Sequence, residues 1–262
     1  MFEDYKYVLF ARQGRILRVT LNRPDRLNAI AGEMHREIAR LFIDIAADTQ
    51  SDIVVLTGAG KAFSAGGDID FLEDCVADPT LFEESVREGK RLISALVDCD
   101  KPIICRLNGD AIGLGASIAL FCDIIIAADH ARIGDPHVRI GLTAGDGGAI
   151  IWPQLIGYAR AKQYLFTGDL LTAQEASAIG LINFAVPADE LDALVDKWAE
   201  RLAATPSRAL RWTKATVNMA LKQLTASMID GSFAYEALSN RTAEHADAIA
   251  ALRKKQSAAR GN

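Results

Sequence analysis

Twice in its first half this chain runs from a short β-branched stretch into a glycine-rich turn and out into a helix, and that recurrence limits the folds open to it. The first copy is the apolar run 52–57, followed by Gly58-Ala59-Gly60-Lys61-Ala62-Phe63-Ser64-Ala65-Gly66-Gly67-Asp68-Ile69. The second is the run 102–107, followed by Gly109-Asp110-Ala111-Ile112-Gly113-Leu114-Gly115-Ala116, a helix over 117–121 and a strand over 123–127. Strand, turn and helix repeating with an approximate period predict an α/β spiral of ββα units, because each unit covers its apolar face by stacking on the next. Upstream, 7–12 and 15–21 read as strands around a tight Gln13-Gly14 turn. Met34, Ile38, Leu41 and Ile45 fall at helical spacing and predict an amphipathic helix over 31–47. A long helix over 81–98 joins the two copies. After residue 187 the strand signals vanish, and helices are expected over 190–203, 207–221, 226–239 and 242–253. A boundary near residue 200 therefore separates an α/β core, 1–200, from a helical C-terminal region, 201–262, with no low-complexity linker between them.

Half of the 262 residues are hydrophobic, enough for a sizeable core. The net charge of -5 gives no electrostatic reason to expect nucleic acid or an anionic membrane as partner. Anionic small ligands stay open, since helix N-termini bind them without net positive charge. Cys75, Cys99, Cys105 and Cys122 form no C-x-x-C pair and read as reduced core thiols. The acidic start Met1-Phe2-Glu3-Asp4-Tyr5-Lys6 does not resemble a signal or transit peptide. The most hydrophobic stretch, 111–128, is interrupted by Gly113, Gly115 and Asp123, so it reads as buried helix and strand rather than a membrane span. A soluble, cytoplasmic protein is the expectation, with no cysteine motif for a metal.

Both glycine turns follow a strand and open a helix, where unpaired backbone N–H groups and the helix dipole favour negative charge. Neither has Walker or dinucleotide-fold spacing. In tandem they could supply one N–H each to a single carbonyl oxygen, an oxyanion hole; alternatively the glycines only permit close packing. A third segment, Ile133-Gly134-Asp135-Pro136-His137-Val138-Arg139-Ile140-Gly141, places one of four histidines beside an aspartate in an irregular loop, with Asp146 nine residues on. Histidine titrates nearest neutrality and suits proton transfer, although the same loop could be a simple turn.

Asn22-Arg23-Pro24-Asp25-Arg26-Leu27-Asn28-Ala29, Lys61 to Ile69, Lys101-Pro102-Ile103-Ile104-Cys105-Arg106-Leu107-Asn108-Gly109 and Phe121-Cys122-Asp123-Ile124 resemble, in order, the blocks of the enoyl-CoA hydratase/isomerase (crotonase) family. Thr167-Gly168 through Ala176 and Gly180-Leu181-Ile182 continue the resemblance. It implies a crotonase spiral, assembly as a homotrimer or a hexamer through the helical C-terminal region, and a coenzyme A thioester as substrate. It implies Ala65 and Leu114 as oxyanion N–H donors, Leu114 standing where the family usually has glycine. Arg26, Leu27 and Ala29 would line the adenine and pantetheine entry. Gly66, Gly67, Asp68, Ile69, Gly113 and Ser117 would flank the thioester.

The pattern breaks at the chemistry. The family's hydratases use two glutamates, and the matching positions here are Ser117 and His137, so a divergent member lacking both is expected. His137 then takes the acid/base role, as general base for water or an α-proton, with Asp146 orienting the imidazole as in a triad. A His137–Asp146 pair followed by Ile151-Trp152-Pro153, with Glu236 in Phe233-Ala234-Tyr235-Glu236-Ala237-Leu238, is also similar to the superfamily's β-diketone hydrolases. The intact Gly113-Leu114-Gly115-Ala116 turn favours a CoA thioester over a free diketone. Hydration or isomerisation of an enoyl-CoA is the leading expectation. Hydrolysis of a C–C bond or of the thioester, or a CoA-binding protein without chemistry, are the rivals. Ser117 reads as a helix N-cap, Trp152 and Trp212 as core, and His35, His130 and His245 as solvated.

Overall fold

Gly14, at a φ of +57°, turns the chain between β1 (Val8–Gln13) and β2 (Ile16–Leu21), which pair antiparallel from Gln13↔Ile16 to Val8↔Leu21. The structure, a computed structural model, describes residues 2–260. From β2 onward each added strand is parallel: β3 (Ile53–Gly58), β4 (Ile103–Leu107), then β6 (Ile124–Ala128) and β9 (Phe184–Val186), giving the order β1-β2-β3-β4-β6-β9. Parallel strands need crossovers that cover both faces, so β3, β4 and β6 are apolar but for Thr57 and Arg106, whereas β2, next to the edge, alternates with Arg18 and Thr20. On one face Val54, Leu56 and Cys105 meet α1 (Gly32–Ala47), α3 (Pro79–Asp98) and α4 (Leu114–Leu120) in the main core. On the other face Ile53, Val55, Ile104 and Ile126 pack against Leu191, Val195 and Ala199 of α7 (Leu191–Ala203).

The short strands β5 (Ala111–Ile112), β7 (Arg132–Gly134) and β8 (Leu171–Thr172) form a second, three-stranded sheet at the ends of the crossovers. With helices α2 (Ile69–Ala77), α5 (Gly148–Thr167) and α6 (Ala173–Ala178), this is the expected spiral. The C-terminal region is helical, but 207–239 forms one helix, α8 (Ser207–Asn240), where two were expected. Nothing in Lys222-Gln223-Leu224-Thr225 breaks a helix, and burial of Thr225 with Leu224 against the core holds the joint straight. The last helix, α9 (Ala243–Arg260), packs on α2. Among the described residues no helix is long and apolar enough to cross a membrane.

Several local expectations are corrected. Helix α4 begins at Leu114 with Gly113 as its N-cap, so Ser117 lies inside the helix and is fully buried. Trp152 is core, but Trp212 is 66% exposed on α8. His130 is exposed as expected, whereas His35 and His245 are buried.

Candidate active site

Three strand ends bring the sequence's three marked segments together. Phe63 and Ser64 donate to the Asp110 carbonyl, Ile112 N donates to Ser64 O (3.0 Å), and Gly113 N donates to Gly134 O (2.9 Å). The Gly66 turn, the Gly113 turn and the His137 loop therefore lie side by side. Gly66 has a φ of +82°, and a Cβ there would stand 2.5 Å from Ile112 O and 3.5 Å from Leu114 N. No other residue tolerates both the left-handed backbone and that approach. Gly66→Ala should lower stability by about 1–3 kcal/mol through overpacking and backbone strain, read as a drop in unfolding midpoint.

The Ala65 amide, expected as one oxyanion donor, does not fill that place. It donates to the Leu27 carbonyl at 2.9 Å, and so is committed within the fold. Ile30 N donates to Gly66 O and Asp68 N to Ile30 O, which leaves the Gly67 amide turned the other way. Gly67 N–H donates to no acceptor among the described residues. Nor does the amide of Leu114, at the first turn of α4, where intrahelical acceptors are lacking. The amides of Gly67 and Leu114, both on the cavity wall, are therefore left free.

Beside them stands His137, in a 3-10 turn over His137–Ile140. A Cβ on Gly113 would lie 3.3 Å from its Cε1. Its Nδ1 pairs with Asp135 Oδ1, while Nε2 faces Asp146 Oδ2 at 3.5 Å and Glu236 Oε1 at 4.0 Å. The orienting carboxylate is thus Asp135, two residues back, and the expected partner Asp146 meets the opposite nitrogen. The Ser117 hydroxyl donates to Asp146 Oδ1 at 3.0 Å. Glu236, from the middle of α8, has its Oε2 buried without a partner.

Burial alone would push the His137 imidazole down, but the charges of Asp135, Asp146 and Glu236 outweigh it and hold the pKa well above 6.5. Burial raises the Asp146 carboxyl, opposed by the imidazolium and the Ser117 hydrogen bond. Burial and the neighbouring Asp146 raise Glu236 well above its ordinary range. The carboxyl groups around the imidazole thus favour its protonated form, and burial favours the protonated form of Glu236. The raised His137 pKa stabilises the fold fully below about 6.5, and that contribution is lost as pH rises through the folded value. Asp135→Asn should lower the imidazole pKa, as followed by NMR titration. The variant's stability deficit should shrink toward alkaline pH.

These groups open on a cavity of ≈ 450 Å³ lined by Arg26, Leu27, Ala29, Ala65, Gly66, Gly67, Asp68, Ile69, Gly113 and Leu114, with His137, Asp146 and Glu236. Ser117 reaches it only through Asp146. Asp68 is largely occupied, pairing with Arg23 Nη1 at 2.6 Å and capping α2 through Asp70 N. Arg26 pairs with Asp70 at 2.9 Å and is partly exposed. Sequence reasoning passed over Asp135 as the orienting group, although its spacing to His137 was visible. It missed His35, which lines the same cavity. Asp135, His137 and Asp146 also lie close enough to share a cation, but the imidazole and Asp135 already satisfy one another.

A sequence model of the enoyl-CoA hydratase/isomerase family matches residues 11–251. A crotonyl-CoA hydratase from Syntrophomonas wolfei is 35% identical over 216 residues, covering 82% of each chain. Among solved structures, an enoyl-CoA hydratase/isomerase from Mycobacterium paratuberculosis superposes with a TM-score of 0.90 at 33% identity, over 95% of this chain and 99% of the other. A β-diketone hydrolase from Anabaena, bound to (S)-3-oxocyclohexyl acetic acid, gives 0.84 at 32% identity, over 92% and 96%. The spiral fold and the match over residues 11–251 define the class, and the chain belongs to the enoyl-CoA hydratase/isomerase family. It is an enzyme of that type.

Proposed function

We propose that this enzyme processes acyl-CoA thioesters, hydrating an enoyl-CoA or shifting its double bond. In this reading the Gly67 and Leu114 amides hold the thioester oxygen while His137 and Asp146 transfer protons. The observation that carries it is the placement of two free amides and the His137 imidazole on one largely apolar cavity. Negative charge that develops on the thioester oxygen as an enolate forms is stabilised by preorganised N–H groups in a dry site.

Asp135 on Nδ1 and Asp146 facing Nε2 favour a protonated imidazole, which assigns the roles. An imidazolium is a donor, so His137 Nε2 gives its proton to C2 rather than acting as the resting base. Asp146, steadied by Ser117, stands where a hydratase carboxylate is needed and supplies the one absent from the Ser117 side chain. In hydration the water oxygen bonds C3, Asp146 takes the water proton, the C2=C3 electrons move through C2 into the thioester, and the His137 proton completes the C2–H bond. Asp146 then returns a proton across the 3.5 Å gap to Nε2. Isomerisation uses the same groups without water. Burial and the neighbouring Asp146 favour the protonated form of Glu236, which limits the negative charge beside Asp146.

A second reading, cleavage of a C–C bond next to a ketone, is favoured by Glu236. An unpartnered neutral acid beside the imidazole is more than hydration requires, and the Anabaena relative is a β-diketone hydrolase. Parallel assays on enoyl-CoAs and cyclic β-diketones separate the two. Consumption of enoyl-CoA alone is the expected result.

The enzyme assembles as a homotrimer or hexamer through residues 201–262. Trp212, Val217 and Met219 are each 60% exposed or more on α8, an apolar burden a monomer rarely carries on one helix. Light scattering should give a multiple of the 28.3 kDa chain mass, and Trp212→Glu should reduce it toward the monomer.

A further inference from the structure

The cavity wall formed by α1 and α3 is not uniformly apolar. His35, on α1, is 7% exposed and lines the cavity together with Ser85, Val86 and Gly89 of α3. Its Nδ1 pairs with Glu88 Oε2 at 2.5 Å. Its Nε2 makes no hydrogen bond among the described residues. A buried imidazole held by a carboxylate, with its second nitrogen left to a cavity, is an oriented hydrogen-bonding head rather than a surface group.

The placement relates this pair to the chemistry. Gly89, next to Glu88, packs so closely on Phe233 that a Cβ there would stand 2.7 Å from the ring. Phe233 is one helical turn before Glu236 on α8, about 4.5 Å along the axis. Further along α3, Ile93 touches Gly147, adjacent to Asp146. Helix α3 therefore runs from the His137 cluster to the His35–Glu88 pair, with Phe233 between them. The proton-transfer mechanism uses neither His35 nor Glu88.

The geometry points to a substrate whose acyl group carries a second oxygen function, a hydroxyl or a carbonyl, recognised by His35 Nε2 on the far side of Phe233 from the thioester. With Glu88 holding Nδ1–H, a neutral ring accepts from a hydroxyl and a charged ring donates to a carbonyl. A plain alkyl chain would leave Nε2 facing hydrocarbon without a partner, which disfavours unsubstituted acyl groups. This inference rests on the acyl-CoA reading.

The test measures kcat/KM, and binding to the His137→Ala protein, for pairs of enoyl-CoAs of equal length with and without a distal hydroxyl or keto group. Wild type should favour the oxygenated partner by about three- to tenfold, the range of one added hydrogen bond. His35→Leu should bring the ratio near one, His35→Gln should restore part of it, and Glu88→Gln should reduce it. Because each ratio is internal to one protein, a general loss of activity does not mimic the effect. Equal preference in wild type, or a preference unchanged in His35→Leu, overturns the inference while leaving the acyl-CoA reading intact. Binding of neither thioester overturns both.

Discussion

Replacing His137 by alanine should lower kcat/KM on the best enoyl-CoA by roughly 10²- to 10⁴-fold, the usual contribution of one positioned acid. The imidazole stands against the Gly113 turn, and Asp135 and Asp146 above all favour its protonated form. Its removal takes away the proton that C2 must receive, while the apolar walls and the Gly67 and Leu114 amides remain. The loss should therefore fall mainly on kcat, with thioester binding largely retained. Steady-state kinetics with a separate measurement of product dissociation constants reads this directly. Equal loss in binding and turnover would instead mark His137 as a structural support of the loop.

Asp146→Asn should cost a comparable amount, about 10²- to 10³-fold, with a different signature in pH. The amide preserves shape and can still meet the Ser117 hydroxyl, but it cannot accept a proton from water. It also removes one of the charges holding the His137 pKa up and one of those holding the Glu236 proton. In wild type, activity should persist to pH values well above 6.5 and fall as the imidazolium is lost. In the variant the residual activity should fall at lower pH. Profiles of kcat/KM against pH for the two proteins check both the magnitude and the direction of the shift.

Much of the fold was legible because burial writes a period into the sequence. The apolar runs that became β3, β4 and β6 are short and β-branched, and the α1 stripe Met34, Ile38, Leu41, Ile45 is buried as read. The fusion of two expected helices into α8 was not legible, since whether a helix continues through a polar joint depends on what packs against Thr225. The site was legible in its parts but not in its pairings. His137 and Asp146 were recognisable from spacing, yet which nitrogen meets which carboxylate depends on ring orientation, and Asp135 took the orienting place. The amide of Ala65 looked as available as that of Gly67 until the left-handed Leu27 brought its carbonyl onto it. His35 looked solvated because its neighbours Glu33, Arg36 and Glu37 are charged. Only the packing of α1 on α3 turns its ring inward.

The central claim, that these amides and this imidazole generate and protonate an enolate, is tested most directly by deuterium transfer at C2. Enoyl-CoA or its hydrated product is incubated with enzyme in D2O, and the recovered thioester is analysed by NMR and mass spectrometry. The account predicts one solvent deuteron at C2, delivered to a single face by wild type and at a rate reduced at least a hundredfold in His137→Ala, the lower end of a positioned acid's contribution, roughly 10²-fold. Absence of label in wild type, or labelling unaffected by the loss of His137, would contradict it.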